Sequence, residues 1–99
     1  MSAGYRISAD AIEDLEKIWL YGYDAWSREQ ADRYYRLIVD EIEYVAKHFD
    51  AARNAGHIRK GYRSAKVKSH VIFFKMGTDQ VVEIVRVLHE RMDIENRLD

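Results

Sequence analysis

The hydrophobic positions between residues 27 and 49 repeat at the spacing of an α-helix. Apolar side chains fall alternately four and three positions apart: Ala31, Tyr35, Ile38, Ile42, Val45 and Phe49. This spacing puts one apolar stripe on a helix that packs lengthwise against a neighbour. Ser27 precedes the stripe, and Gln30 lies three residues after Ser27. This spacing is the pattern of an N-terminal capping box. The sequence therefore predicts a long amphipathic helix that begins after Ser27 and contributes to the core.

A shorter helical pattern lies immediately before it. Its apolar residues also fall at helical spacing: Ile12, Leu15, Ile18, Trp19 and Trp26. Ser8 or Asp10 can cap its first turn by accepting free backbone N–H groups. Gly22 and the aromatic residues around it are expected to fray or bend its end. Because the link between the two helices is short, the pattern predicts an antiparallel helical hairpin.

The remaining elements have the pattern of strands. Tyr5–Ile7 predicts a short edge strand, and the polar and glycine-containing residues 50–61 predict a loop. Three strands with tight turns at Lys68-Ser69 and at residues 77–80 are expected to follow, at Tyr62–Val67, His70–Met76 and Val81–Leu88. A short helical tail ends the chain. The predicted fold is α+β, in the order β-α-α-β-β-β-α, as one domain spanning residues 1–99.

Composition narrows the class of protein. The 99 residues are 33% charged and contain no cysteine, which excludes a disulfide framework and a thiolate metal site. No apolar run reaches the length of a membrane-spanning helix, and no secretion signal is evident. No His-x-x-x-His pair or carboxylate cluster indicates a metal. We therefore expect a cytoplasmic protein without a membrane segment, cofactor or metal.

The net charge of −1 hides a strong asymmetry. Residues 51–78 carry seven Lys or Arg and no acid, whereas the segments on either side are acidic. A wholly cationic segment attracts an anionic partner. The same charges on a solvated hairpin would also prevent pairing of sheet edges between molecules. The composition alone leaves both interpretations open.

Several short motifs stand in the order and approximate spacing of a known family. They are Tyr5-Arg6-Ile7-Ser8, Asp14–Trp19, Trp26, Gln30–Tyr34, His70–Phe74 and Val85–His89 followed by Arg91-Met92-Asp93. This set resembles the ParE branch of the RelE/ParE toxin superfamily. The resemblance implies a helical hairpin packed on a small antiparallel sheet. It also implies a toxin of a type II toxin–antitoxin pair, which binds DNA gyrase and traps it on cleaved DNA without being an enzyme itself.

The resemblance further implies a cognate antitoxin, acidic and partly disordered when free, that forms a hetero-oligomer with the toxin. Aromatic groups at the end of the first helix and cations of the middle segment are the candidate antitoxin contacts: Trp19, Tyr23, Trp26, Arg59, Arg63, Lys66 and Arg86. The polar tail supplies the candidate gyrase contacts: Arg91, Met92, Glu95 and Arg97.

Arg86 has a structural interpretation beside the functional one. Strict alternation places it on a mainly apolar strand face with Val82, Ile84 and Leu88, where a charge must pair or reach water. A pair with an acid such as Asp14 or Glu90 would attach the tail to the sheet. This structural role is the interpretation that we favour.

Two other functions remain open. A RelE-like, ribosome-dependent mRNA endonuclease would use His70, His89 and Arg86 with Glu90, since RNA cleavage needs proton transfer and a cation on the phosphate. The apolar run Val71–Phe74 and a tail without tyrosine argue against it. A non-toxic nucleic-acid-binding module would rest on charge alone, and no sequence-specific binding to nucleic acid is expected.

Overall fold

A five-stranded sheet carries the two long helices on one face and the C-terminal tail on the other. The structure is a computed structural model that describes residues 4–98. The strands are β1 (Tyr5–Ile7), β2 (Arg53–Asn54), β3 (Tyr62–Val67), β4 (His70–Met76) and β5 (Val82–His89). The helices are α1 (Ala9–Ala25), α2 (Arg28–Lys47) and α3 (Ile94–Arg97). The α+β class and the predicted order of helices and main strands are confirmed.

The sheet runs in the order β1-β5-β4-β3-β2. β1 pairs in parallel with β5, and the other neighbours are antiparallel. The prediction of a loop over residues 50–61 is only partly correct. A 3-10 turn at Phe49–Ala51 overlaps its start, and the two-residue strand β2 lies within it. β2 pairs through Arg53 with Ser64 and through Asn54 with Arg63.

Serine side chains begin both long helices, as the sequence predicts. Ser8 accepts the N–H of Ala11 at 3.0 Å, and Ser27 accepts the N–H of Gln30 at 3.1 Å. Ser8 also joins the helix to the sheet, since its hydroxyl donates to the carbonyl of Val85 at 2.7 Å. Each cap satisfies a backbone donor that the first helical turn leaves free.

The helical hairpin differs from the prediction at two positions. α1 stays helical through Gly22 to Ala25, and Gly22 is buried against Ala31 of α2. Tyr34, rather than Tyr35, turns toward the sheet, and Tyr35 is exposed. Both tyrosines fit the alternating spacing of three and four, so the spacing alone could not distinguish them.

A β-bulge in β5 corrects the predicted face of Arg86. Phe73 pairs with Arg86, but the next residue, Phe74, pairs with Ile84, so β5 has one extra residue at Val85. Paired residues share a sheet face, so Arg86 lies on the side of Phe73 and Leu88, away from Ile84. The bulge therefore places Arg86 on the face opposite Ile84, from which its guanidinium still reaches Asp14 of α1.

Two clusters of buried side chains follow from this arrangement. The larger lies between the helical hairpin and the sheet, and includes Leu15, Ile38, Ile42, Ile72, Phe74 and Ile84. The smaller lies on the opposite face and contains Ala55, Phe73, Leu88 and Leu98. Leu98 is only 1% exposed, so the tail is part of the folded core. Within residues 4–98, no helix is both long and apolar enough to cross a membrane.

Candidate functional site

Asp14 and Arg86 form the most buried charged contact among the described residues. The Asp14 carboxylate accepts Arg86 Nε and Nη2, each at 2.8 Å, in a bidentate pair. It also accepts the backbone N–H of Val87 at 2.9 Å. This bond satisfies a backbone donor of β5 beyond the residues that pair with β1. The hydrogen bonds that Arg86 donates to Asp14 raise the pKa of Arg86 above its ordinary value. The predicted structural pair of Arg86 with Asp14 is thus confirmed.

Two arginines hold the backbone of the tail. Arg86 Nη1 donates to the carbonyl of Arg97 at 2.9 Å. Arg59 donates through Nε to the carbonyl of Leu98 at 3.1 Å, and through Nη2 to the carbonyl of Glu95 at 3.0 Å. These carbonyls lie at the C-terminal end of α3, where a helix leaves acceptors unsatisfied and favours cations. Arg59, predicted to bind an antitoxin, therefore contacts the chain's own tail.

The tail still displays most of its side chains to solvent. Arg91, Met92, Glu95 and Arg97, the predicted gyrase contacts, are all exposed. A shallow depression of about 530 Å³ lies beside them, lined by Asp10, Arg86, Asp93, Asn96 and Arg97. Leu98, at the end of the tail, is buried in the smaller cluster, on the sheet face opposite the helical hairpin. Asp99 lies outside the described residues.

Aromatic side chains cover the outer surface of the hairpin. Trp19 stacks on Tyr23 with ring centroids 5.3 Å apart, and its indole N–H donates to Asp32 of α2 at 2.8 Å. Tyr21 and Trp26 form an edge-to-face pair, and each is 67% exposed. Exposed aromatic groups clustered in this way are typical of protein-binding surfaces. The structure brings the three predicted aromatic residues to the same end of the hairpin.

The cationic middle segment is partly neutralised in the fold. Lys66 pairs with Glu90 at 2.9 Å, and Lys75 approaches Glu83 at 3.7 Å. Arg63 donates to the carbonyl of Ala52 at 2.8 Å and lies over the ring of Phe49.

Three cations of the same segment have neither an ion pair nor a side-chain hydrogen bond within residues 4–98. They are Arg53, Lys60 and Lys68, and all three are exposed. Lys68 lies in the β3–β4 turn, where its φ is +56°. These three side chains are available to an anionic partner.

Two histidines lie side by side where β4 begins and β5 ends. His70 pairs across the strands with His89, and their ring centroids are 5.2 Å apart. His70 Nδ1 lies 2.7 Å from the hydroxyl of Tyr34, which also lies 3.2 Å from the carbonyl of Val67. Burial lowers the pKa of His70, and the neighbouring His89 lowers it further. Arg63 pairs with Phe74, so it lies toward the other end of the strand.

The predicted RNA-cleaving site combines these two histidines with Arg86 and Glu90. Arg86, the cation that such a site would need, is bound to Asp14 and to the tail. His89 Nδ1 accepts the N–H of Arg91 at 3.1 Å. Residues 4–98 contain no group of three or more His, Asp or Glu side chains that could hold a metal ion.

Sequence reasoning missed Tyr34, the tail contacts of Arg59 and the bond from Asp14 to the backbone of β5. A signal for Asp14 was present, since it falls within the stripe formed by Ala11, Leu15 and Ile18 on the buried side of α1. An acid at such a position must find a partner. No comparable signal indicated the tail contacts of Arg59, because the carbonyl groups of Glu95 and Leu98 that it binds are of a kind that every residue carries.

Comparison with known proteins identifies the family. A family model described as the ParE toxin of type II toxin–antitoxin systems, parDE, matches residues 5–94. The chain belongs to this family. The predicted resemblance to ParE toxins is therefore confirmed across nearly the whole sequence.

Relatives of this ParE-family chain include named toxins of three organisms. Toxin ParE1 of Mycobacterium tuberculosis is 37% identical over 98 residues, which cover 99% of this chain and 100% of that toxin. Toxin ParE1 of Caulobacter vibrioides is 40% identical over 89 residues, covering 90% of this chain and 91% of the relative. Toxin ParE of Escherichia coli is 28% identical over 94 residues, covering 95% and 91%.

A solved structure, described as the chromosomal ParDE TA system from P. aeruginosa, has the same fold. Its TM-score is 0.75 at 15% identity, and the match covers 89% of this chain and 98% of that chain. The likeness supports the α+β architecture of the ParE-family chain.

Proposed function

We propose that this chain is the toxin of a type II toxin–antitoxin pair and that it inhibits DNA gyrase by binding, trapping the enzyme on cleaved DNA. It acts in the cytoplasm, without catalysis, cofactor or metal. A cognate antitoxin neutralises it by forming a hetero-oligomer. Membership of the ParE family supports the toxin role, and the geometry of the site supports binding over catalysis.

The observation that carries this proposal is the state of Arg86. An RNA-cleaving toxin needs a cation free to stabilise the charge that develops on the phosphate. All three nitrogens of this guanidinium donate to protein acceptors, two bonds going to Asp14 and one to the carbonyl of Arg97. The side chain therefore stabilises the fold, and the exposed surfaces of tail and hairpin remain for protein partners.

The antitoxin has two surfaces to occupy. Apolar anchors of an amphipathic segment fit the aromatic surface around Trp19, Tyr23 and Trp26, where large rings bury much area on binding. Acidic residues of the same chain fit the cationic segment, whose unpaired members are Arg53, Lys60 and Lys68. We propose that Arg63 and Lys66 contribute charge, whereas Arg59 and Arg86 act indirectly by holding the tail.

A gyrase cleavage assay tests the proposed function. Purified protein is added to gyrase with supercoiled and relaxed plasmid, and both lost supercoiling and double-strand cuts are scored. We expect cuts that require gyrase and disappear when the cognate antitoxin is added. A folded sample that leaves gyrase unaffected contradicts the proposal.

The tail assignment needs point variants, because truncation would remove buried Leu98. Replacing exposed Arg91 and Met92 together by alanine should weaken gyrase trapping at least about tenfold if they form a binding hot spot. Replacing exposed Met76 and partly buried Lys75, at the end of β4, provides a control of one apolar and one cationic group. Equal potency of the two double variants would contradict the tail assignment.

The juxtaposition of His70 and His89 favours the RNA-cleaving alternative as a second candidate. Two neighbouring imidazoles can act as acid and base in phosphodiester cleavage. Translating ribosomes with a defined mRNA test it directly: cuts that are lost in a His70→Gln, His89→Gln double variant would replace the gyrase proposal with the nuclease one.

A further inference from the structure

The C-terminal tail is held by an unusual set of contacts. Three backbone acceptors of the tail, the carbonyls of Glu95, Arg97 and Leu98, receive hydrogen bonds from the guanidinium groups of Arg59 and Arg86. A four-residue helix such as α3 has little stability of its own. Its pose on the sheet therefore depends on these bonds and on the burial of Leu98.

The two arginines are anchored differently. Arg59 extends from the loop before β3, next to the tail, and one of its nitrogens donates to the carbonyl of Ile58. Arg86 extends from β5, and its direction is fixed by Asp14, which lies far away in sequence on α1. Asp14 is 8% exposed and accepts two bonds from Arg86, leaving Nη1 aimed at the carbonyl of Arg97.

We propose that Asp14 is the positioning residue of the C-terminal tail, and that, acting through Arg86, it makes the pose of residues 94–98 depend on α1. The chain of contacts is continuous, from the Asp14 carboxylate through the Arg86 guanidinium to the Arg97 carbonyl. This inference deepens the proposed gyrase contact, and rests on it for its biological meaning, but the coupling itself can be measured without gyrase.

Removal of the carboxylate charge should free the guanidinium. In Asp14→Asn the side chain keeps its shape and one oxygen acceptor, which can still serve the N–H of Val87. Its amide nitrogen, however, would face a donor of Arg86. The guanidinium then loses its charge-assisted bidentate partner, and the tail loses one of its two clamps.

The absence of cysteine allows a direct measurement of tail opening. A single Leu98→Cys substitution puts a unique thiol at the buried end of the tail, and Ile72→Cys puts one in the larger core, where residue 72 is 0% exposed. The rate of modification by the thiol reagent DTNB then reports opening of the tail in the first protein and of the whole fold in the second.

The expected result is selective. Asp14→Asn should raise the reaction rate of the thiol at position 98 by roughly tenfold or more, given the usual strength of a hydrogen bond to a charged group. The rate at position 72 should rise by a much smaller factor. Arg86→Lys, which keeps the charge but not the fork of donors, should act in the same way. Combining Arg86→Lys with Asp14→Asn should raise the rate at position 98 little further, because both substitutions remove the same contact.

Asp79→Asn is the matched control. Asp79 accepts Arg6 Nη1 at 2.8 Å, which is as short as the Asp14 pair, but this pair joins β1 to the β4–β5 turn and makes no contact with the tail. It should change neither rate appreciably. An equal rise at positions 72 and 98 in Asp14→Asn would show a general stabilising role and overturn the proposal, and so would no rise at position 98.

Gyrase trapping by the cysteine-free Asp14→Asn protein separates the two proposals. Selective tail opening with weaker trapping supports both the coupling and the tail as the gyrase contact. Selective tail opening with unchanged trapping supports the coupling, but removes the tail from the gyrase surface.

Discussion

At the scale of single residues, His70 shows how the fold sets the behaviour of a titratable group. Its imidazole lies between the hydroxyl of Tyr34 on α2 and the ring of His89 on β5, and it is half-buried. Burial is the largest cause of its lowered pKa, followed by repulsion from His89. The acids Asp14 and Glu90 oppose the shift without overcoming it. The folded protein therefore disfavours the protonated form of His70.

This residue should make the protein sensitive to acid. The folded pKa of His70 lies below its ordinary value of 6.5, so its neutral form contributes stability that is fully present above that pH. The contribution is lost as the pH falls from there toward the folded pKa, because the unfolded chain then binds more protons. We expect His70→Gln to flatten the fall in the free energy of unfolding between about pH 7.5 and about pH 5.5, as measured by urea titration.

The matched control is the replacement of exposed His57 by glutamine, since His57 lies in the loop before β3 and outside the contact of His70 with Tyr34 and His89. If the parent protein and His70→Gln lose the same free energy over this range, the acid sensitivity resides elsewhere.

At the scale of elements, the helical hairpin depends on one close approach. A Cβ at Gly22 would lie 3.2 Å from the Cα of Ala31 and 3.3 Å from its Cβ. The nearest atom belongs to backbone, so the contact cannot be relieved by rotating a side chain. The small residues at both positions set the distance between α1 and α2, and with it the spacing of the aromatic groups on the outer surface.

Gly22→Ala should therefore destabilise the protein even though alanine favours helix. The gain in helix propensity is about 1 kcal/mol, while overpacking at a close contact costs roughly 1–3 kcal/mol. We expect a net loss of about 1 kcal/mol in the free energy of unfolding, measured in urea.

The double variant Gly22→Ala, Ala31→Gly tests the cause, because it returns space to the contact. Its stability should exceed the value that the two single effects would give by addition. Simple additivity, or a stabilised Gly22→Ala protein, would show that the interface between the helices is not tight.

At the scale of the whole molecule, charge is segregated. The helical hairpin is acidic, and the middle of the chain carries seven cations and no acid. The fold neutralises part of this charge through Glu90 and Glu83, and leaves Arg53, Lys60 and Lys68 unpaired within the described residues. A partner therefore meets a positive field from the whole segment, but can form close ion pairs with only part of it.

Two double variants of equal net charge separate the field from the contacts. Lys60→Gln with Lys68→Gln removes unpaired cations, whereas Lys66→Gln with Lys75→Gln removes paired ones. Both should slow association with the cognate antitoxin to a similar degree at low salt, because long-range steering depends on net charge. Only the first should also speed dissociation. Stopped-flow and chase measurements give both rates, and identical dissociation of the two variants would contradict a role for the unpaired cations.

Most of the architecture was predictable from the sequence because it rests on local patterns. The capping serines, the helical stripes and the alternating strands each specify an element through neighbouring residues. Arg86 also showed that it needs a partner, since a charge on an apolar strand must be satisfied. The position of the tail was not predictable, because Leu98 is buried by residues distant in sequence and Arg59 holds the tail through backbone carbonyls.

The extra residue at Val85 changes the parity of the last strand. Through Ile84, even-numbered residues of β5 face the helices; after the bulge the odd-numbered Val87 does, and Arg86 turns to the other side. Deleting Val85 would leave both halves of the strand facing as they do now, because Arg86 would then follow Ile84 directly and point away from it. A strand that kept Val85 without the bulge would instead turn Arg86 toward the larger core and Val87 toward the tail. When relatives are compared, a one-residue gap opposite Val85 is therefore compatible with the same sheet faces on either side of it.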